Sequence, residues 1–267
     1  MHRRSWVPKL GSDPDFPKTG SDPEFPPWPR RPALFLDLDG TLVELTAHPS
    51  LTQASPRLRR LLPRLVESCA GAVAVISGRR IDDVDRVLAP HAVFAAGVHG
   101  LERRGPDGTV SAHAPTEELT RIRRLIEPFV ARHDGLWIED KRIAFAVHYR
   151  DRPELEEDIH RFVGALEREV PPDIEILLGH CVFEVKPSAA DKGRAIEHFM
   201  TEAPFAGRTP VFVGDDVTDE AGFRAVNALG GLSVKVGDAP TLARWRLGNV
   251  ADVLDWLERL VALGRRQ

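Results

Sequence analysis

Two apolar runs in this chain end on acids. In "LFLDLDGTL" (34–42) Asp37 and Asp39 stand two residues apart, and in "VFVGDDVTDE" (211–220) Asp215, Asp216, Asp219 and Glu220 crowd the end of a second run. Neighbouring carboxylates repel one another and stay ionised together only with a cation or strong donors between them. A hard, oxygen-preferring ion such as Mg²⁺ meets that need, and it commonly brings a phosphate group with it. One acidic cluster alone is equally well explained as carboxylates complementing a helix N-terminus; two at strand ends make that account weak. Between them "ISGR" (76–79) offers the Ser77 hydroxyl and the Gly78 amide to phosphoryl oxygens, and "ADKG" (190–193) offers Lys192 where a helix begins. Taken singly, a Ser-Gly turn or a surface lysine is ordinary turn chemistry.

Parallel strands with helices between them can bring such residues together. Residues i and i+2 of a strand point to one side, so Asp37 and Asp39 face a common space. Open α/β sheets bind ligands at the carboxyl ends of their strands. From residue 31 the pattern reads βαβαβ: "ALFLDL" (33–38), a helix over 55–68, "AVAVI" (72–76), a helix over 80–88, and "AVFAA" (92–96). Ser55 caps the first helix and Pro56 suits its first turn, whereas Pro63 should kink or shorten it. The grammar resumes with a helix near 191–201, "PVFVG" (210–214), a helix near 219–228, "LSVKV" (232–236) and a last helix near 250–263. The middle reads helix, hairpin, helix, hairpin, which predicts a small α+β unit inserted into the α/β domain.

The expected organisation is a tail at 1–30, a Rossmann-like α/β core at 31–108 and 188–267, and an inserted α+β cap at 109–187. The tail repeats itself, "GSDPDFP" at 11–17 and "GSDPEFP" at 20–26. Its composition buries too little apolar surface to offset ordering, so disorder is expected there. The whole chain has 267 residues, 42% hydrophobic and 28% charged, with a formal charge of −4. That balance offers no general attraction to nucleic acid or to an anionic membrane, so neither is an expected partner. Cys69 and Cys181 form no disulfide framework or metal-ligand spacing and read as inert thiols in a reducing compartment. No apolar stretch approaches the length of a spanning helix, and a cytoplasmic monomer is expected.

The ordered set DxDGT, Ser, Lys and GDDxxDE resembles the haloacid dehalogenase superfamily of phosphohydrolases. Within it, "FLDLDGTL", "VISGR", "AGVHGLERR", "FAVHYR", "FEVKPSAADKG" and "PVFVGDDVTDEAGF" resemble the trehalose-6-phosphate phosphatases over about residues 31–262. The resemblance implies a Mg²⁺-dependent hydrolysis of trehalose 6-phosphate through an aspartyl-phosphate. In it Asp37 is the nucleophile, Asp39 the general acid and base, and Ser77 and Lys192 the ligands of the phosphoryl oxygens. Asp37, the Asp39 carbonyl and Asp215 would hold the ion, with Asp219 supporting. Gly78 and Arg79 fall beside the phosphate, and Glu139, Lys141 and Glu184 on the sugar, with His148, Arg150 and Lys186 near them. Strand alternation gives the cap residues another account, a solvated face. His99 and Glu102, in "GVHGLE", would approach the sugar from the core; a turn-stabilising histidine is the alternative. The rival functions are a phosphatase for another sugar phosphate and a non-catalytic sensor of sugar phosphates.

Overall fold

The computed structural model describes residues 25–264 apart from 47 and 180. The chain begins with β1 (Pro32–Leu36), α1 (Pro56–Ser68), β2 (Val73–Ile76), α2 (Ile81–Leu88) and β3 (Phe94–Gly97). Two short strands, β4 (Glu102–Arg104) and β5 (Val110–Ala112), come next. The middle holds α3 (Glu117–Ala131), β6 (Trp137–Asp140), β7 (Phe145–His148), α4 (Glu156–Leu166), β8 (Ile174–Gly179) and β9 (Val182–Pro187). The rest is α5 (Lys192–Met200), β10 (Thr209–Gly214), α6 (Glu220–Ala228), β11 (Leu232–Val236), β12 (Trp245–Leu247) and α7 (Val250–Gly264).

Eight strands form one sheet in the order β12-β11-β10-β1-β2-β3-β4-β5. The first six are parallel, and β4 and β5 add antiparallel at one edge. Alternation along the central strands sorts their side chains onto two covered faces. Leu34 and Leu36 join the cluster of α1, α2 and α7, while Ala33 and Phe35 pack with Phe199 of α5 and Phe223 of α6. Both central strands, β1 and β10, end where their acids begin. The Asp37 amide donates to Val213 O at 2.9 Å, which brings the two acidic clusters side by side.

The second sheet is antiparallel, in the order β6-β7-β9-β8. One face packs on α3 and α4 through Phe145, Val147, Phe183, Val185, Ile122 and Ile159. Its register puts Trp137 opposite His148, Glu139 opposite Ala146, and Ala146 opposite Glu184, so those residues share the other face.

Helix α1 runs through Pro63 without ending there, capped as expected by Ser55 Oγ, which accepts from the Leu58 amide at 3.1 Å. Val110–Ala112, counted by the sequence with the inserted unit, pairs with β4 and closes the large sheet. Residues 1–24, which hold all but the last two residues of the duplicated stretch, lie outside the described residues. Residues 25–30, expected in the disordered tail, instead pack on α7. Trp28 stacks on Trp256 at 3.9 Å, Trp256 Nε1 donates to Pro26 O at 2.8 Å, and Arg259 covers the Phe25 ring at 3.9 Å. Three aromatic contacts supply the apolar burial that composition alone did not reveal. Among the described residues no helix is long and apolar enough to cross a membrane.

Candidate active site

A cavity of about 260 Å³ lies between the strand ends of the large sheet and the free face of the small one. The core lines it with Asp37, Asp39, Ser77, Gly78, Arg79, His99, Lys192, Asp215 and Asp216. The small sheet and the turns that follow β6 and β7 line it with Trp137, Glu139, Lys141, His148, Arg150 and Glu184.

At its floor Lys192 Nζ donates to Asp37 Oδ1 at 2.7 Å and to Asp219 Oδ1 at 2.6 Å. Asp219 is fully buried, and its other oxygen accepts from the Asp216 amide at 2.9 Å. Asp215 approaches Gly40 so closely that a Cβ there would lie 2.1 Å from its Oδ2. Gly40 also has φ +74°, a left-handed conformation that glycine adopts at little cost. The buried Lys235 ammonium donates to the Asp215 carbonyl. Carboxylate oxygens of Asp37, Asp215 and Asp219 all lie within 4.8 Å of one another.

Burial raises the Asp37 carboxyl well above its ordinary value; Lys192 opposes the shift, and Asp219 and Asp215 add to it. Burial and the charge of Asp219 push Asp215 up to about 6. Burial works against the Lys192 ammonium, but Asp219 and Asp37 outweigh it and hold the lysine charged. One ammonium among three close carboxylates leaves excess negative charge in a buried all-oxygen donor set, and a hard divalent cation fits such a set. Asp37 and Asp215 face the cavity and would hold the ion, whereas Asp219 is occupied by Lys192 and the Asp216 amide.

Ser77 is buried at the end of β2; its Oγ accepts from the Arg79 amide at 3.1 Å, leaving its proton free to donate into the cavity. Gly78 lies under His99, whose Nε2 would be 2.8 Å from a Cβ at that position. Arg79 lines the cavity, but its guanidinium is taken. It forks onto Asp39, Nε to Oδ2 at 2.6 Å and Nη2 to Oδ1 at 2.8 Å, and also reaches Asp83, Pro49 O and Thr52 Oγ1.

The roof is a charged network. Glu184 Oε2 accepts from Lys141 Nζ at 2.8 Å and lies 3.1 Å from His99 Nε2. Burial raises the Glu184 carboxyl, but Lys141 and His99 prevail and hold it far below the usual carboxylate range. Burial also lowers His99, which Glu184 partly offsets. Glu184 Oε1 is buried with no partner within the described protein, an acceptor free for a donor in the cavity. Glu139 meets His148 Nε2 at 2.8 Å, and Arg150 Nη1 donates to Thr46 O at 2.6 Å.

Two expected sugar neighbours lie elsewhere. Glu102 Oε2 accepts from the Ile81 amide at 2.7 Å, capping α2 from a distance, so its carboxylate is spent on the fold. Lys186, opposite Glu175 and ion-paired with it, donates to Ala190 O beyond the edge of the cavity. Sequence reading missed Trp137 and His48, whose rings stack at 4.8 Å, with His148 stacked on Trp137 at 4.1 Å. Trp137 sits two residues before Glu139 on the same strand face, the signal that could have found it.

Solved structures share this fold. A haloacid dehalogenase-like hydrolase from B. subtilis superposes with a TM-score of 0.62 at 15% identity, covering 85% of this chain and 99% of that one. The fold is that of the haloacid dehalogenase-like hydrolases. The C-terminal domain of C. albicans trehalose-6-phosphate phosphatase gives a TM-score of 0.77 at 22% identity, over 87% of this chain and 92% of that one. The chain belongs to the trehalose-phosphatase family, whose model matches residues 35–250. The trehalose-6-phosphate phosphatase of Escherichia coli (strain K12) is 43% identical over 229 residues, 85% of this chain and 86% of that protein.

Proposed function

We propose that this chain hydrolyses trehalose 6-phosphate to trehalose and phosphate through an aspartyl-phosphate on Asp37. The observation that carries the reading is the double lining of one cavity: strand-end acids and Lys192 below, and a hydrogen-bonding roof with an unpartnered Glu184 oxygen above. A phosphorylated sugar presents an anion to the first and hydroxyls to the second.

Asp37 attacks phosphorus, and the bond from phosphorus to the sugar oxygen breaks. Asp39 gives its proton to that departing oxygen, then takes one from the water that attacks the aspartyl-phosphate. Ser77 and the Gly78 amide donate to the non-bridging oxygens, and Lys192 keeps Asp37 aimed while offsetting charge on the phosphoryl group. Mg²⁺, held by Asp37, Asp215 and the Asp39 carbonyl, would supply neutralisation of the repulsion between nucleophile and phosphate. Asp219 supports the site by fixing Lys192. Glu139, Lys141 and Glu184 accept from and donate to the sugar hydroxyls. Residues 113–187 act as a cap that excludes water during phosphoryl transfer.

The test is phosphate release from trehalose 6-phosphate, glucose 6-phosphate and sucrose 6-phosphate, with Mg²⁺ and with chelator. The expected result is Mg²⁺-dependent turnover with kcat/KM highest for trehalose 6-phosphate. Preference for either other sugar phosphate would overturn the substrate, and binding without turnover would favour a sensor.

A further inference from the structure

Arg79 gives little of its guanidinium to the cavity it lines, and its partners form a chain. Arg150, two residues beyond β7 of the small sheet, donates to Thr46 O at 2.6 Å. Thr46 Oγ1 and Thr52 Oγ1 are 2.9 Å apart, and Thr52 Oγ1 accepts from Arg79 Nη2 at 2.8 Å. The same Nη2, with Nε, forks onto Asp39. His48 of that stretch stacks on Trp137 of the small sheet, and Pro49 O accepts from Arg79 Nη1 at 3.0 Å. The segment after the first acid motif thus touches the cap on one side and the guanidinium of Arg79 on the other. A forked guanidinium fixes a carboxylate in plane and direction, not only in charge. Asp83 anchors the far end of Arg79, and burial leaves the side chain little freedom to wander.

We infer that Arg79 is the positioning residue of Asp39, and that Thr46 and Thr52 carry the seating of the cap to it. The inference rests on the phosphatase reading above. In the first half-reaction the Asp37 oxygen bonds to phosphorus while the bond to the sugar oxygen breaks. That oxygen's electron pair takes the proton from Asp39, which becomes the carboxylate that the fork holds. In the second half-reaction the held carboxylate accepts a proton from water as the water oxygen bonds to phosphorus and Asp37 leaves. Closure of the cap on Thr46 and His48 aligns the acid when a sugar fills the roof.

The leaving group tests the connection. A sugar alkoxide departs poorly without a proton, whereas p-nitrophenolate departs without one, and kcat/KM reports only the steps through the first phosphoryl transfer. Arg79→Gln is expected to lower kcat/KM for trehalose 6-phosphate about a hundredfold, the scale of general-acid help, and that for p-nitrophenyl phosphate by no more than about threefold. Thr52→Val, outside the cavity lining, should show the same selectivity at about tenfold, and the double variant should be no worse than Arg79→Gln, because both act through one chain. Equal losses on the two substrates would make Arg79 a structural or phosphate-binding residue and end the proposal. Additive losses in the double variant would end the Thr52 connection. Should Arg79→Gln not fold, Thr52→Val and Arg79→Lys, which keeps charge without the fork, decide by the same ratio. Wild-type turnover of both substrates is measured first, so failure of the function reading shows there and not in the ratio.

Discussion

Asp215→Asn should make the metal-free protein more stable. In the absence of a cation the Asp215 carboxyl is raised from 3.8 to about 6, by burial first and by Asp219 second. Folding then disfavours the ionised form by about 3 kcal/mol, from 1.36 kcal/mol for each tenfold change in proton affinity. The sign follows from linkage. A carboxyl raised on folding adds stability, relative to its ionised state, that is fully present below pH 3.8 and is lost as the pH rises through about 6. Asparagine carries no charge at any of these pH values, keeps the shape and can still accept from Thr41 Oγ1, 3.4 Å from Asp215 Oδ1. In chelator at about pH 7.5 the variant should therefore melt about 5–10 °C above the wild type, and near pH 4 the gap should shrink to about 0.5 kcal/mol. Saturating Mg²⁺ should raise the wild-type midpoint more than the variant's, since binding to the folded state alone stabilises it. Thermal unfolding followed by circular dichroism, in chelator and in Mg²⁺ at several pH values, measures all three. A variant no more stable than wild type in chelator, or a gap indifferent to pH, would refute the reasoning.

Asp37→Asn should remove turnover by at least about a thousandfold while the fold survives, checked by phosphate release and circular dichroism. Glu184→Gln should lower kcat/KM for trehalose 6-phosphate by about 1.5–3 kcal/mol, the scale of a hydrogen bond to a charged group, with p-nitrophenyl phosphate nearly unaffected. The same variant should melt below wild type at neutral pH. Glu184 is depressed on folding, so its contribution is present above 4.5 and fades as the pH falls below it, and melting curves from pH 7 to 3 should show the two converging. Trp28→Ala should cost about 3 kcal/mol in chemical denaturation through loss of the stack on Trp256.

What the sequence made legible was whatever repeats with a period or ends a run. Leu34 and Leu36 alternate with Ala33 and Phe35 because β1 is covered on both faces. The acids after β1 and β10 stand out because nothing apolar needs them. Strands such as "ERR", "VSA" and "WRL" were not legible, being three-residue strands at or next to the edges of the sheet, without an apolar run. Long-range partners were equally hidden. Glu102 looked like a sugar ligand, yet Arg80, at the cap position before α2, makes no side-chain capping bond, and a carboxylate 21 residues from Ile81 fills that need. Glu184 and Lys186 are two apart on one strand and looked alike. Glu184 lies opposite Ala146 and Leu177, where the small sheet roofs the cavity. Lys186 lies opposite Glu175 at the end of the strand, where an ammonium removed from water must find oxygens and takes Glu175 and Ala190 O. Alternation therefore predicts which face a residue joins, and the reach of the cavity along that face decides whether its charge serves a ligand or the fold. Arg79 shows the same rule in the core. Its place after Ser77 and Gly78 suggested a phosphate ligand, but Asp39, Asp83 and Thr52 surround its guanidinium and leave little of it facing the cavity.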